Sequence, residues 1–565
     1  MSGKSPRQWL EQAGAAERRG ERAEALAVIA QAVADHPRDA ALINDAGSLA
    51  QRLGEYELAE ARFAAALALA PDNTDFAVNR AIALTALGRP REAVQILHPF
   101  ETSGERIARY WSVRANAERA AGMAAQAGRS YDRCLALQPN HPRALHGRAR
   151  IAIERGEGDA VARFDRALAA NPRDPDLWLG KAQALDVAGD MAGARDLVQQ
   201  ILAQAPGWMD GLRLMAQLNL AQGRSDFAEH YAEAAARAPD NPAIPVAHAN
   251  LLAVHDRFTQ AADIATEARG RFPNDPSLAL LEASYTASAG DDGRAEVLFA
   301  ALDLETSERW LQEARHALRL HDVSRAHALL DRAEEETPWS VSGWALRGLA
   351  WRLSDDPRAE WLYRPDETIR PPPLGGADDL IERAVAVLRD LHQGSPLPLG
   401  QSLRGGTQTR GRLFDRTEPV LAELRQAIEG AVERYRQGLP DADPEHPLLR
   451  HRDAGFALAG SWSVRLTGGG DFHIAHIHPE GVISSALYLV VPDDAHGPDK
   501  SGWLELGRPP PDMRLDLPPI ATIQPEPGRL ALFPSYLFHG TTTFGRAERM
   551  TVAFDGVPRD QGPQN

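Results

Sequence analysis

The sequence predicts a multidomain α + β protein: an N-terminal all-α solenoid of helix pairs, then a C-terminal strand-rich domain of the sandwich or jelly-roll type with flanking helices. Three observations predict it. Glycine and proline recur on a 33–34-residue clock through the first two thirds of the chain. Alanine-rich helical text then stops near Asp356, in a stretch rich in proline and glycine. From Ser461 onward, short β-branched and aromatic runs alternate with turn residues. At 565 residues the chain exceeds what one hydrophobic core supports, so separate domains are expected.

The clock comes first along the chain. Glycines stand at Gly20, Gly54, Gly88, Gly122, Gly156, Gly189, Gly223 and, after one gap, Gly290. Prolines keep the same time at Pro37, Pro71, Pro139, Pro172, Pro206, Pro239 and Pro273. Glycine permits the tight turn between two helices. Proline stops the second helix, because it lacks an N–H and its ring clashes with the preceding turn. Between them lie small residues where helices approach, such as Ala59 and Ala66, with Tyr56 and Phe63 as bulky partners. Phe164 with Ala167 and Tyr231 with Ala235 repeat the arrangement. This pattern resembles the tetratricopeptide-repeat (TPR) family, over residues 6–355, as about nine to ten 34-residue repeats. A solenoid domain is therefore expected over residues 1–355. Its last repeats are degenerate, with Asp256 near where a glycine is due and a loose fit over 307–354. The resemblance implies a concave groove that holds a protein or peptide; the plainer reading is an array that dimerises the chain or covers its neighbour.

Residues 356–394 read as a linker and packing helix. Pro365, Pro371-Pro372-Pro373 and Gly375-Gly376 break the helical pattern. Amphipathic helices follow at 377–392 and 419–437, the first with an apolar stripe of Ile381, Ala384, Val385 and Leu388. Both should pack on the outer face of a sheet. Strands are expected at 461–466, 483–491, 502–506, 520–524, 529–533 and 550–554, within a domain spanning 395–565.

Bulk properties exclude several classes. A net charge of −16 opposes general nucleic-acid binding and docking on anionic membranes. The one cysteine, Cys134, rules out an intrachain disulfide framework and reads as a small buried helix residue. The N-terminus lacks a signal-peptide core and no apolar run is long enough to span a bilayer, so a soluble, cytoplasmic protein is expected.

The chemistry concentrates in histidine. Phe472-His473-Ile474-Ala475-His476-Ile477-His478-Pro479 crowds three histidines into six positions, and His539 and Arg549-Met550-Thr551 follow. In an extended strand, residues two apart face one side, so His476 and His478 can reach one ion. His539, at the end of another strand, can close the set, and imidazole suits iron, zinc, copper or nickel. Arg549 offers the rigid bidentate donor that a carboxylate needs, and Thr551 shares its face.

His476-x-His478, His539 and Arg549-x-Thr551 resemble the motif of iron(II)/2-oxoglutarate oxygenases, whose fold is the double-stranded β-helix (jelly roll). Gln401-Ser402-Leu403-Arg404-Gly405-Gly406-Thr407-Gln408-Thr409, Gly502-Trp503-Leu504-Glu505-Leu506-Gly507 and Leu532-Phe533-Pro534-Ser535-Tyr536 carry further likeness to a bacterial, TPR-linked branch, over 395–558. The resemblance implies Fe(II) on His476, His478 and His539, with 2-oxoglutarate anchored by Arg549 and Thr551. It implies a dioxygenase that consumes dioxygen and hydroxylates a protein or peptide held by the repeats. One departure stands out: the family's usual carboxylate position is His478. Either three imidazoles hold the metal, or Asp471, Glu480 or water completes the site. His473 is left outside the metal set and His496 reads as a loop residue. Trp462, Trp503, Tyr488 and Phe554 read as core, and Gly405-Gly406 as either a pocket-shaping segment or a plain turn. Two other readings stay open: a TPR scaffold with a degenerate oxygenase domain, and a cupin-like tri-histidine metalloenzyme that does not use 2-oxoglutarate.

Overall fold

A computed structural model describes residues 4–374, 378–545 and 547–559. Gly375-Gly376 and Ala377, expected at the helix break, lie outside these. The chain forms two compact units, one ending at Ala184 and the other beginning at Leu185.

Both units contain antiparallel helix pairs. They run from Pro6–Arg18 with Arg22–Asp35 in the first unit to Ser307–Arg319 with Val323–Glu336 in the second. The clock glycines take the left-handed turn, as at Gly54 (φ 80°) and Gly223 (φ 74°). Where glycine lapses the geometry persists: Asp256 (φ 60°), His321 (φ 58°) and Asp355 (φ 53°) occupy the same turn. The degenerate repeats therefore keep the shape and bear its backbone strain. Close helix approach depends on missing side chains. A Cβ on Gly47 would lie 2.7 Å from Phe63. Ala59, Ala66 and Phe63 are buried as expected, whereas Tyr56 is 37% exposed and packs only in part. Cys134 is buried, and burial pushes its thiol up to about 11.

The second unit also carries the strands. These are β1 (Leu403–Arg404), β2 (Thr407–Gln408), β3 (Phe456–Leu466), β4 (Phe472–His473), β5 (Ile483–Val490), β6 (Leu504–Leu506), β7 (Ala521–Ile523), β8 (Leu530–Pro534), β9 (His539–Thr541) and β10 (Arg549–Pro558). One antiparallel sheet has the order β2-β3-β10-β5-β8, a second β7-β6-β9, and β1 pairs with β4. A bridge between His476 and His539 ties the chain after β4 to β9. Gly405 and Gly406 form the corner between β1 and β2, where the chain changes sheets. Both have positive φ, and a Cβ on Gly406 would lie 2.5 Å from the Arg465 carbonyl. The helices Asp378–Gln393 and Pro419–Gln437 bury Ile381, Ala384, Val385, Leu388, Leu424 and Ile428 in one core with Leu487 and Leu530 of the large sheet. That is the packing their apolar stripes call for.

Within this unit the strand region docks on the ends of successive repeat helices. Gln217 grips a backbone segment, donating to Leu397 O (3.0 Å) and accepting from Leu399 N (2.7 Å). Arg404 reaches Asp256 (2.7 Å) and the Val254 carbonyl at a helix C-terminus (3.0 Å). Arg410 pairs with Asp186 and Arg514 with Asp292. In the opposite direction, Arg315 and Arg319 clamp Asp512, each at 2.8 Å. Guanidinium groups suit helix C-termini, where carbonyls lack partners and the dipole is negative.

Candidate metal centre

The backbone brings His476 and His539 together directly. Each donates its N–H to the other's carbonyl, at 3.0 and 2.9 Å. Gly540 makes this approach possible, since a Cβ there would lie 2.8 Å from the His473 carbonyl and 2.9 Å from Ala475 N. His478, two residues beyond His476, lies on the same side. The three imidazoles offer ligand atoms all within 4.8 Å of one another.

Hydrogen bonds set the tautomers. Nδ1–H of His476 donates to the Ile474 carbonyl (2.8 Å), and Nδ1–H of His539 to the Leu537 carbonyl (2.9 Å). Nδ1–H of His478 donates to the carboxylate of Asp555. All three acceptors can only accept, so each neutral ring turns a lone pair on Nε2 toward the others. The Nε2 atoms of His476 and His478 are 3.0 Å apart, so with both rings neutral two lone pairs face each other. Two facing acceptors repel unless a cation lies beside them. Burial, reinforced by the neighbouring histidines, holds His476 and His539 well below the ordinary imidazole pKa, which keeps them in the metal-binding form. Nitrogen donors with their other ring N–H groups engaged are those a first-row transition metal takes.

Arg549 opens β10 and is 3% exposed. Among the described residues it has no carboxylate partner. Glu548, its neighbour, faces away and pairs with Arg389 and Arg465. The Arg549 Nε and the Tyr488 hydroxyl are buried without hydrogen-bond partners. The Tyr488 ring centroid lies 5.7 Å from the guanidinium carbon. Burial lowers the Arg549 pKa, with Tyr488 partly opposing. A buried guanidinium lacking a counter-charge is costly, and a ligand carboxylate would relieve it. Thr551 is buried two residues along the same strand.

These groups line one pocket, with His473, His476, His478, His539, Arg549 and Thr551 in its wall. His476, His478, His539, Arg549 and Thr551 thus reach the same cavity. His473 also lines it, its Nδ1 3.3 Å from the Ser402 hydroxyl, and burial lowers its pKa to about 3. The two proposed carboxylate substitutes do not reach the centre. Asp471 accepts from Thr467 N (3.1 Å), and Glu480 is exposed.

Sequence reasoning missed four features. Asp555 contacts His478, and strand parity with Arg549 and Thr551 was the available signal. Ser402 lies 3.2 Å from His476 Nε2. Trp462, read as core, lines the pocket with its ring centroid 5.7 Å from that of His478. Tyr488 is core as read, yet brings an unpartnered hydroxyl beside Arg549. Gly405-Gly406 is both the corner and the lead-in to Gln408 of the pocket wall.

Residues 460–555 match the family model described as "Putative 2OG-Fe(II) oxygenase", and residues 50–117 and 158–218 match that of the tetratricopeptide repeat. Protein FlbA of Caulobacter vibrioides is 30% identical over 168 residues, 30% of this chain and 28% of FlbA. Cellulose synthase 1 operon protein C of Komagataeibacter xylinus is 28% identical over 134 residues, 21% of this chain and 10% of that protein. The chain thus spans less than a third of either relative. A tetratricopeptide repeat protein from Parabacteroides merdae superposes with a TM-score of 0.36 at 21% identity, covering 43% of this chain and 96% of that one. PilW, a type IV pilus biogenesis factor, gives 0.35 at 20%, covering 38% and 99%. No helix of the described residues is long and apolar enough to cross a membrane.

Proposed function

We propose that this chain is an iron(II)- and 2-oxoglutarate-dependent oxygenase that hydroxylates a protein or peptide. In this reading the catalytic domain is a jelly roll spanning 395–565, and the TPR array of 1–355 holds the substrate. The observation that carries the reading is a buried Arg549, without a carboxylate partner among the described residues, sharing one cavity with three converging imidazoles. A tri-histidine zinc site alone would not call for that guanidinium. The family match over 460–555 supports the same chemistry.

His476, His478 and His539 would hold the ion on one face and leave its remaining positions open. When bound, the ion and 2-oxoglutarate supply the oxidation: with dioxygen, the diacid is decarboxylated to succinate and the substrate gains a hydroxyl. The chain's own residues position and shield. Arg549 and Thr551 receive the distal carboxylate, with the Tyr488 hydroxyl available to it. Trp462 and Phe533 form apolar wall that limits water around the imidazoles. Gln401 and Gln408 also line the cavity, and a carboxamide there can meet the amide groups of a polypeptide.

The test is succinate formation from 2-oxoglutarate with added iron(II), in the full chain and in His539→Ala and Arg549→Ala. Both variants should lose metal-dependent turnover. Full coupled activity in both would sink the assignment. Metal binding indifferent to 2-oxoglutarate would favour the cupin-like reading, and no binding of either would favour the scaffold.

A further inference from the structure

We propose that Asp555 supplies the negative charge that the His-x-His motif lacks, acting through His478 as a positioning residue. The inference rests on the oxygenase reading above. The family motif has a carboxylate where His478 stands, and the two acidic residues near it in sequence do not reach the centre. Asp555 does, from a different strand. It accepts Nδ1–H of His478, while the corresponding N–H groups of His476 and His539 meet only neutral carbonyls. The three rings are thus oriented alike but polarised unequally. A carbonyl fixes tautomer and direction; a carboxylate also raises the basicity of the opposite nitrogen.

Charge counting gives the same answer. A divalent ion and the buried Arg549 face a doubly charged 2-oxoglutarate, which leaves one positive charge uncompensated in a partly dry cavity. Asp555 cancels it. In a low-dielectric site that balance governs affinity. Asp555 is also free for the task, having no arginine or lysine partner among the described residues. The fold makes room for it: a Cβ on Gly481 would lie 3.2 Å from the Asp555 Cβ. Asp555 shares the parity of Arg549 and Thr551 on β10, and the ladder to β3 shifts register between Ala553 and Asp555. One strand therefore carries both the anchor for the diacid and the charge behind the third imidazole.

The experiment is calorimetric titration of the full chain with cobalt(II) and manganese(II), without turnover, in four proteins: wild type, Asp555→Asn, His478→Asp, and the double variant. Asparagine keeps an acceptor for Nδ1–H and removes only the charge. Asp555→Asn should weaken metal binding about 10- to 100-fold, with unchanged circular dichroism. In the His478→Asp background the motif holds its own carboxylate, so adding Asp555→Asn should cost nothing or tighten binding. Equal metal affinity in wild type and Asp555→Asn would overturn the inference while leaving the oxygenase reading intact. An equal loss in both backgrounds would overturn it too, by showing a structural role for Asp555. Absence of metal binding in the wild type would instead sink the oxygenase reading, and the inference with it.

Discussion

Replacing Arg549 by methionine should move stability and ligand binding in opposite directions. The guanidinium is buried, its Nε has no partner, and no acidic side chain among the described residues compensates it. In the ligand-free protein such a charge is a liability, since desolvation is not repaid by an ion pair. Methionine matches the length of the aliphatic stem and removes the charge, so the ligand-free variant should gain about 1–3 kcal/mol. The bound state reverses the sign. A bidentate guanidinium–carboxylate contact supplies two charge-assisted hydrogen bonds, each about 1.5–3 kcal/mol. Losing about 3–5 kcal/mol weakens 2-oxoglutarate binding roughly a hundredfold to a few thousandfold. Two measurements suffice: the unfolding midpoint without ligand, and calorimetry of 2-oxoglutarate against the manganese(II)-loaded protein. A purely structural Arg549 would give the reverse pattern, a destabilised apo-protein with diacid affinity within threefold of wild type. That result would refute the reasoning.

Three further outcomes follow from packing and protonation. Gly540→Ala drives a methyl group against the His473 carbonyl and Ala475 N, so the His476–His539 bridge must open; metal affinity should fall at least tenfold in calorimetry, with a cost of about 1–3 kcal/mol in unfolding. His446 accepts from Leu448 N and Leu449 N through Nδ1 and donates to Leu362 O through Nε2, and burial lowers its pKa to about 4. Its contribution is complete above the unfolded value of about 6.5 and is lost as pH falls toward 4, roughly 2 kcal/mol between pH 7 and 5; denaturation at both pH values should show a smaller loss in His446→Asn. Asp512→Asn leaves Arg319, whose side chain is 1% exposed, without its counter-charge; it should destabilise the unit beginning at Leu185 by about 3–5 kcal/mol, read as a lowered unfolding midpoint.

The sequence alone determined the parts whose physics is local. A repeat announces itself because every turn needs a left-handed residue and every second helix a stop, so Gly54, Gly223 and Pro239 mark the array before any contact is known. The apolar stripe Ile381, Ala384, Val385 and Leu388 set which helix face is buried, and the spacing in His476-x-His478 put two imidazoles on one side of an extended chain. What tertiary structure decided was pairing. Strands β1, β2, β4 and β9 are two or three residues long and lack an apolar run of their own; they exist because a neighbouring backbone supplies the hydrogen bonds. Strand β10 continues through Asp555 and Gly556, residues with little strand preference, because β3 and β5 hold it on both sides. Asp555 lies one residue past the expected strand for that reason, legible only through its parity with Arg549 and Thr551; the solitude of Arg549 was not legible at all, since a missing counter-charge is a property of everything folded around a residue and not of the residue itself.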